Sequence, residues 1–469
     1  MTPKKIAAFA LGPLAGAVLG FLTLPIIAWF FSQEDIGRLA MLNVVISFST
    51  LLFSLGLDQA YVREFHESKN RPALLKTTLL PGLILLLSSL TILLSFNGLI
   101  SDKLFGLESD FLSFVVAAIL LSTFISRFLS LVLRMNEQGL AYSMSQLLPK
   151  TLLILIIYGY VLFDAEKNLT NLLVANLFAL LSVCIIYGWN TRKEWLLGLK
   201  QSLDLKYLKY LLSFGTPLIF GGLAFWGLTA TDKILLKELS SYEELGLYSV
   251  SVSFAAAATI FQSIFSTVWA PTVYKWAATG EGLEKIYKVN RYVLLAVVVL
   301  FCLAGLFSWT VTLILPNSYD SVRWVLIPCL GFPLLYTLSE TTVIGIGITR
   351  RSEFSMLAAI IAFLINLLGN FWLIPSLGAK GAAISTCVSF WIFFFLRTEF
   401  SVWVWKKIPR TQLYSYTISL TVLAVLNSVY GREYVYEFLL AWLTLLVIAL
   451  FFFRKELRWI LVYIFSSKR

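Results

Sequence analysis

The sequence predicts an all-α polytopic membrane protein of about fourteen transmembrane helices, on three observations. Apolar runs of roughly 18 residues or more recur along the chain, each long enough to cross a bilayer's hydrocarbon core. Only 13% of the 469 residues are charged while 59% are hydrophobic, about half the charge of an ordinary soluble domain. The stretches between the runs are short, and none could fold as a separate soluble domain.

The spans are expected over residues 6–31, 38–58, 74–97, 111–134, 143–163, 170–190, 211–231, 246–270, 290–315, 322–347, 354–374, 381–403, 412–429 and 436–453. The opening MTPKKIAAFALGPLAG has the look of a secretion signal, but its apolar run continues to Phe31, so an uncleaved first span is expected. A short acidic hairpin, Gln33 to Gly37, leads to the second span. That span carries Asn43, Ser47, Thr50, Ser54 and Asp58, whose steps of three and four place all five on one helix face. The longest loops are expected near 59–73, 191–210 and 271–289.

Orientation follows from the basic residues. With the N-terminus in the cytoplasm, about 27 of the 37 Lys and Arg, Arg397 among them, fall on that side, the bias expected of an even span count with both termini inside. The same bias accounts for the net charge of +11 without a nucleic-acid partner. The segment 191–210 differs from the other loops. Leu196, Leu199, Leu203, Tyr207 and Tyr210 share one face and Lys200, Asp204, Lys206 and Lys209 lie elsewhere, which predicts an amphipathic helix at the cytoplasmic interface.

An internal repeat divides the chain around that segment. Glu34-Asp35-Ile36-Gly37 matches Glu243-Glu244-Leu245-Gly246, Leu11-Gly12-Pro13-Leu14 loosely matches Gly215-Thr216-Pro217-Leu218, and Tyr142-Ser143-Met144 matches Phe354-Ser355-Met356, all at an offset of a little over 200 residues. Six spans repeated in one orientation form two lobes of a parallel-repeat transporter, with the substrate expected between them. The expected organisation is an N-terminal six-helix lobe over 1–190, an amphipathic cytoplasmic linker over 191–210, a second six-helix lobe over 211–405, and two further transmembrane helices with a basic cytoplasmic tail over 406–469.

Ionisable residues inside spans cost about 2.5–3.5 kcal/mol at mid-bilayer on insertion scales and point to function. Arg127 and Lys150 lie deep in the fourth and fifth spans on polar faces, the first with Thr123, Ser130 and Arg134, the second with Ser143, Gln146 and the helix-bending Pro149. Both are expected to line a cavity. Arg63 and Arg134 lie near cytoplasmic span ends, where they join the same anion site or simply snorkel to the interface. A cavity lined by Arg and Lys favours an anionic ligand, and the planar guanidinium suits phosphate. Asp58, Asp232, Lys233 and Glu340 are candidates for gating or coupling, Asp58 as a partner for Arg63 or another basic group, Asp232 and Lys233 as an interfacial pair, and Glu340 as a partner for a base on another helix. Asn366 and Asn370, one turn apart, read as helix-packing hydrogen bonds. The four cysteines lie in apolar runs without paired spacing and read as small buried hydrophobes. His66, the single histidine, has no partner at metal-binding spacing, and GIGITR and GAKGAA lack the GxxxxGK(S/T) pattern of a phosphate-binding loop. No cofactor, metal or catalytic residue is expected.

The opening GPLAGAVLGFLTLPIIAWFFSQEDIGRLAMLNVVISFSTLLFSLGLDQAYVREF, followed in order by LRMNEQGLAYSM, TDKILLKELSSYEELGLYSVS and IPSLGAKGAAISTCVSF, resembles polysaccharide flippases. These are the Wzx-type (O-antigen) branch of the multidrug/oligosaccharidyl-lipid/polysaccharide exporter superfamily. The resemblance covers most of residues 6–403. It implies two lobes alternating between inward- and outward-open V shapes, as in the MATE exporters. It also implies translocation of an undecaprenyl-diphosphate-linked oligosaccharide across the bacterial plasma (inner) membrane, for O-antigen, capsule or exopolysaccharide synthesis, with a polysaccharide polymerase and a chain-length regulator as partners. A cation-coupled multidrug exporter of the same architecture is the alternative, with Asp58, Asp232 and Glu340 as its carboxylates. A membrane enzyme such as a polymerase is disfavoured by the missing large outer loop.

Overall fold

The computed structural model describes residues 3–279 and 282–458; the basic tail expected beyond them lies outside the described residues. In chain order the helices are α1 (Pro3–Ala28), α2 (Gln33–Phe53), α3 (Leu57–Glu64), α4 (Arg71–Leu94), α5 (Leu99–Phe105), α6 (Asp110–Met135), α7 (Gly139–Leu162), α8 (Leu169–Asn190), α9 (Arg192–Leu199) and α10 (Leu205–Leu239). There follow α11 (Tyr242–Thr279), α12 (Gly282–Phe307), α13 (Val322–Cys329), α14 (Gly331–Thr342), α15 (Ile344–Ile348), α16 (Ser352–Leu377), α17 (Ala379–Val404), α18 (Thr411–Tyr430) and α19 (Val435–Phe452). Among the described residues twelve helices are long and apolar enough to cross a membrane. Two shorter apolar stretches, Val18–Ala28 and Gln146–Leu162, lie in α1 and α7, the helices over the first and fifth expected spans. The chain is therefore a multi-pass helical membrane protein close to the expected span count. Helices suit this setting because they satisfy every interior backbone group within the segment, where no water is available.

The chain divides into two compact units, Met1–Ile234 and Leu235–Arg469, with the boundary inside α10. In the first, α6 is the central element and packs against α2, α4 and α8, while α1 packs along α7. Phe124 and Phe128, one turn apart on α6, are fully buried. Side-chain caps start several helices: Ser32 accepts from Asp35 N at 3.1 Å, and Asn70, Ser109 and Asn168 do the same for α4, α6 and α8.

In the second unit α17 is the centre, packed on α14 and α16. Its contact with α16 uses small and amide side chains, as close helix pairs in membranes do. Asn366 Nδ2 donates to Thr386 Oγ1 at 3.2 Å, Asn370 Nδ2 to Asn366 Oδ1 at 3.1 Å, and Ser385 Oγ to the Asn366 carbonyl at 2.9 Å, the packing expected of the two asparagines. Trp442 of α19 is fully buried, and its indole donates to Asn427 Oδ1 of α18 at 3.1 Å.

Four stretches differ from the sequence reading. The second span is not one helix: α2 ends at Phe53 and α3 begins at Leu57. Between them Leu55 (φ 53°) and Gly56 (φ 68°) take left-handed backbone. Asp58 thus belongs to the first turn of a separate short helix instead of continuing the Asn43–Ser54 stripe. At this turn the Gly215 backbone of α10 sits against Gly56 so closely that a Cβ on Gly215 would lie 2.8 Å from the Gly56 carbonyl carbon. Residues 191–210 form two helices instead of one, because Asp204 Oδ1 accepts from the Lys206 and Tyr207 amides at 2.9 and 3.0 Å and so starts α10 afresh. The loop expected near 271–289 is mostly helical, since α11 runs to Thr279 and α12 starts at Gly282. The tenth span is built from three consecutive pieces, α13, α14 and α15.

Candidate functional site

Arg127 sits on α6 between the buried Phe124 and Phe128. The hydroxyls that share its face turn back onto their own helix: Thr123 Oγ1 donates to the Ile119 carbonyl at 2.8 Å and Ser130 Oγ to the Arg127 carbonyl at 2.7 Å. The guanidinium is therefore the outward polar group of that turn. Its Nη2 meets Asp58 Oδ2 at 2.8 Å, with the arginine side chain 44% exposed and the aspartate 10%. Gln59 Nε2 donates to the same carboxylate oxygen at 3.1 Å. Asp58 also lies in the first turn of α3, where the helix dipole favours a negative charge. The carboxylate is thus held from several sides, and the guanidinium keeps open donors.

Of the partners foreseen for Asp58, the structure supplies another basic group rather than Arg63. Arg63 points elsewhere: its Nε is 3.7 Å from Glu64 Oε1 and its guanidinium lies 4.4 Å from the centre of the Phe214 ring on α10. Glu64, buried, also lies 3.4 Å from the hydroxyls of Tyr207 and of Tyr210. Lys150 is half-buried and donates from Nζ to the Gly16 carbonyl of α1 at 2.7 Å. Gly20, one turn along, leaves room for the ammonium, since a Cβ there would lie 2.7 Å from Nζ. Arg134 is exposed in the last turn of α6. Arg127, Lys150 and Arg63 thus each have a different partner. Asp232 is buried and Lys233 half-buried near the end of α10.

In the second unit Glu340 Oε1 of α14 receives Arg397 Nη1 of α17 at 3.0 Å, a base on another helix as expected. Arg397 Nη1 also donates to Ser339 Oγ at 2.7 Å, and its guanidinium lies 4.9 Å from the centre of the Phe393 ring. Trp269 of α11 donates its indole N–H to the Glu340 carbonyl at 2.9 Å. Trp269, Glu340 and Arg397 line a cavity of about 430 Å³ that also takes in Arg350, Ser352 and Ser355. The sequence reading placed Arg397 among the topology-setting bases; the structure buries it, 8% exposed, inside α17. Its signal was present: Ser385, Ser389, Arg397 and Ser401 are spaced four, eight and four residues apart along the helix. Among the described residues no group of three or more His, Cys, Asp or Glu could hold a metal ion.

Broken spans and charge pairs within a two-unit helical membrane fold define the class of a multi-pass protein built like the flippases and exporters of known structure. The chain resembles the lipid II flippase MurJ in its inward closed conformation at a TM-score of 0.69 and 13% identity, over 96% of this chain and 99% of that one. It resembles an inward-facing multidrug resistance MATE family transporter of the MOP superfamily at a TM-score of 0.56 and 15% identity, over 86% of this chain and 96% of that one. Residues 3–276 match the family described as polysaccharide biosynthesis protein, and the chain belongs to that family. A curated relative, the capsular polysaccharide biosynthesis protein CapF of Staphylococcus aureus, is 24% identical over 243 residues, which cover 50% of this chain and 60% of that protein.

Proposed function

We propose that the chain is a flippase for lipid-linked oligosaccharides, carrying an undecaprenyl-diphosphate-linked repeat unit across the bacterial plasma membrane by alternating access, for surface polysaccharide synthesis. The observation that carries this reading is Arg127: a guanidinium on an apolar helix, anchored by Asp58 at 2.8 Å yet 44% exposed. Such a cation is too costly to leave in lipid and suits a wet, anion-binding surface. Its remaining donors match a diphosphate's oxygens in the bidentate geometry arginine favours. The break between α2 and α3 beside it is the kind of discontinuity found where membrane helices build substrate sites. Lys150 is the second cation for the diphosphate, with Arg63 and Arg134 nearer the cytoplasmic ends. We take residues 1–190 and 211–405 as the two repeated lobes, with both termini cytoplasmic. The polysaccharide family match and the capsular relative favour a glycan cargo. The exporter reading rests on Asp58, Asp232 and Glu340, of which Asp58 and Glu340 are each engaged by an arginine.

The test is complementation of a strain lacking the gene. Neutralising Arg127 or Lys150 should abolish surface polysaccharide and leave lipid-linked repeat units on the inner side, at unchanged protein level. Normal polysaccharide from both variants would remove the assignment, and drug resistance on overexpression would favour the exporter.

A further inference from the structure

A second cavity lies in the first unit, apart from the charge pairs. It holds about 350 Å³ between α4, α6, α8 and α9 and is almost wholly apolar, lined by side chains such as Leu79, Leu83, Ile125, Leu129 and Cys184. Both size and lining are those of sites for small apolar ligands.

Its roof is α9, and that short helix is fastened at both ends. Lys76 Nζ of α4 donates to the Leu199 and Gln201 carbonyls at 3.2 and 2.6 Å, closing the C-terminal end of α9. Asn136 Nδ2, at the end of α6, donates to Glu194 Oε1 at 3.0 Å near the other end. Gly198 lets α9 lie on the start of α4, since a Cβ there would sit 2.9 Å from the Pro72 carbonyl oxygen. Trp195 donates its indole N–H to the Gly188 carbonyl at 2.8 Å, and a Cβ added at Gly188 would meet nothing within 4 Å. The helices thus enclose space and do not close it.

The surroundings say what fills it. Leu196, Leu197 and Leu199 of α9 are exposed large hydrophobics, as on a helix lying in a membrane interface. Lys76 lines the cavity itself. Arg192, Lys193 and Lys200 on and beside the roof are exposed. An apolar hole at the interface with a basic rim matches an acyl chain carrying a negative headgroup, by the attraction of surface lysines and arginines for anionic lipids.

We propose that this cavity is a binding site for the acyl chain of an anionic phospholipid, with its headgroup on the basic rim of α9 and Lys76. The test uses the full-length protein in nanodiscs and two photoactivatable lipids, a phosphatidylglycerol and a phosphatidylcholine, each with a diazirine in the acyl chain. Crosslinked peptides are mapped by mass spectrometry. Phosphatidylglycerol should label the segments around Leu79–Leu83 and Cys184–Trp195 at least five-fold more than phosphatidylcholine. Gly188→Leu, which adds a side chain into open space, should abolish that labelling while leaving labelling on α19 unchanged. Lys193→Gln combined with Lys200→Gln, exposed rim residues, should bring the two lipids to parity. Equal labelling by both lipids in the unaltered protein, or full labelling of Gly188→Leu, would overturn the proposal. So would displacement of the phosphatidylglycerol label by undecaprenyl phosphate but not by excess unlabelled phosphatidylglycerol, which would make the site one for the polyprenyl tail.

Discussion

Replacing Arg127 by glutamine tests whether anchoring and the proposed substrate binding are separate tasks of one guanidinium. One side holds Asp58 at 2.8 Å; the other is open. Asp58 is only 10% exposed, so its carboxylate depends on its neighbours. Losing one partner of a fully buried pair costs about 3–5 kcal/mol. Here the arginine is half-exposed, Gln59 still donates at 3.1 Å, and the α3 dipole adds about 0.3–1 kcal/mol. The expected loss for Arg127→Gln is therefore nearer 1–3 kcal/mol, roughly the range for an unsatisfied buried acceptor. Asp58→Asn keeps a polar group beside an arginine that water can reach, and should cost about 0–1 kcal/mol. The double variant should regain most of the stability, with a coupling of about 1–2 kcal/mol across the cycle. Thermal unfolding of the four purified proteins in detergent measures this, and complementation of surface polysaccharide measures function. Both proteins that carry Arg127→Gln should be inactive, the double variant despite its recovered stability. A double variant that restores polysaccharide would show that Arg127 does no more than neutralise Asp58. A single Arg127→Gln variant as stable as the parent would refute the energetic reasoning.

Three further outcomes follow from the packing. Glu340→Gln removes the negative charge opposite the Arg397 guanidinium, 8% exposed, and leaves it neutral acceptors, the new amide oxygen and Ser339 among them; it should destabilise the protein by about 1–3 kcal/mol, with much of it recovered by adding Arg397→Gln. Gly215→Ala pushes a methyl group into the Gly56 backbone and should cost about 1–3 kcal/mol, whereas Gly221→Ala, whose Cβ meets nothing within 4 Å, should be neutral by the same unfolding assay. Glu244→Ala removes the carboxylate that accepts from Ala379 N at 2.7 Å at the start of α17; the expected loss is about 0.5–2 kcal/mol, as for a missing helix cap, read as a lower unfolding temperature with less protein in the membrane.

The α-helical membrane architecture was legible in the sequence because the bilayer imposes it. A segment that crosses lipid must be long, apolar and internally hydrogen-bonded, and this constraint acts residue by residue. The depth of Arg127 and Lys150 was legible for the same reason. The family motifs were legible as strings, yet not as neighbours. Glu244 belongs to the EELG turn and Ala379 to the GAKGAA turn, two stretches read separately, and only the folded unit makes one the cap of the other. Arg397 was misread because a basic residue near a span's end looks the same whether it snorkels or is buried; its serine stripe became informative once α14 supplied Glu340 and Ser339.

What the sequence determined by itself was therefore the class of fold and the residues whose charge is out of place in lipid, since these depend on composition, period and local position. What only the tertiary structure decided was partnership and interruption. Where α2 stops after Phe53, Gly215, more than 150 residues later, lies with its backbone against Gly56. Asp58 meets Arg127 and not Arg63 because that break puts it on a new helix packed against α6. Such contacts depend on which helices touch, and helix packing is fixed by side-chain shape across the interface, which no periodicity along the chain records.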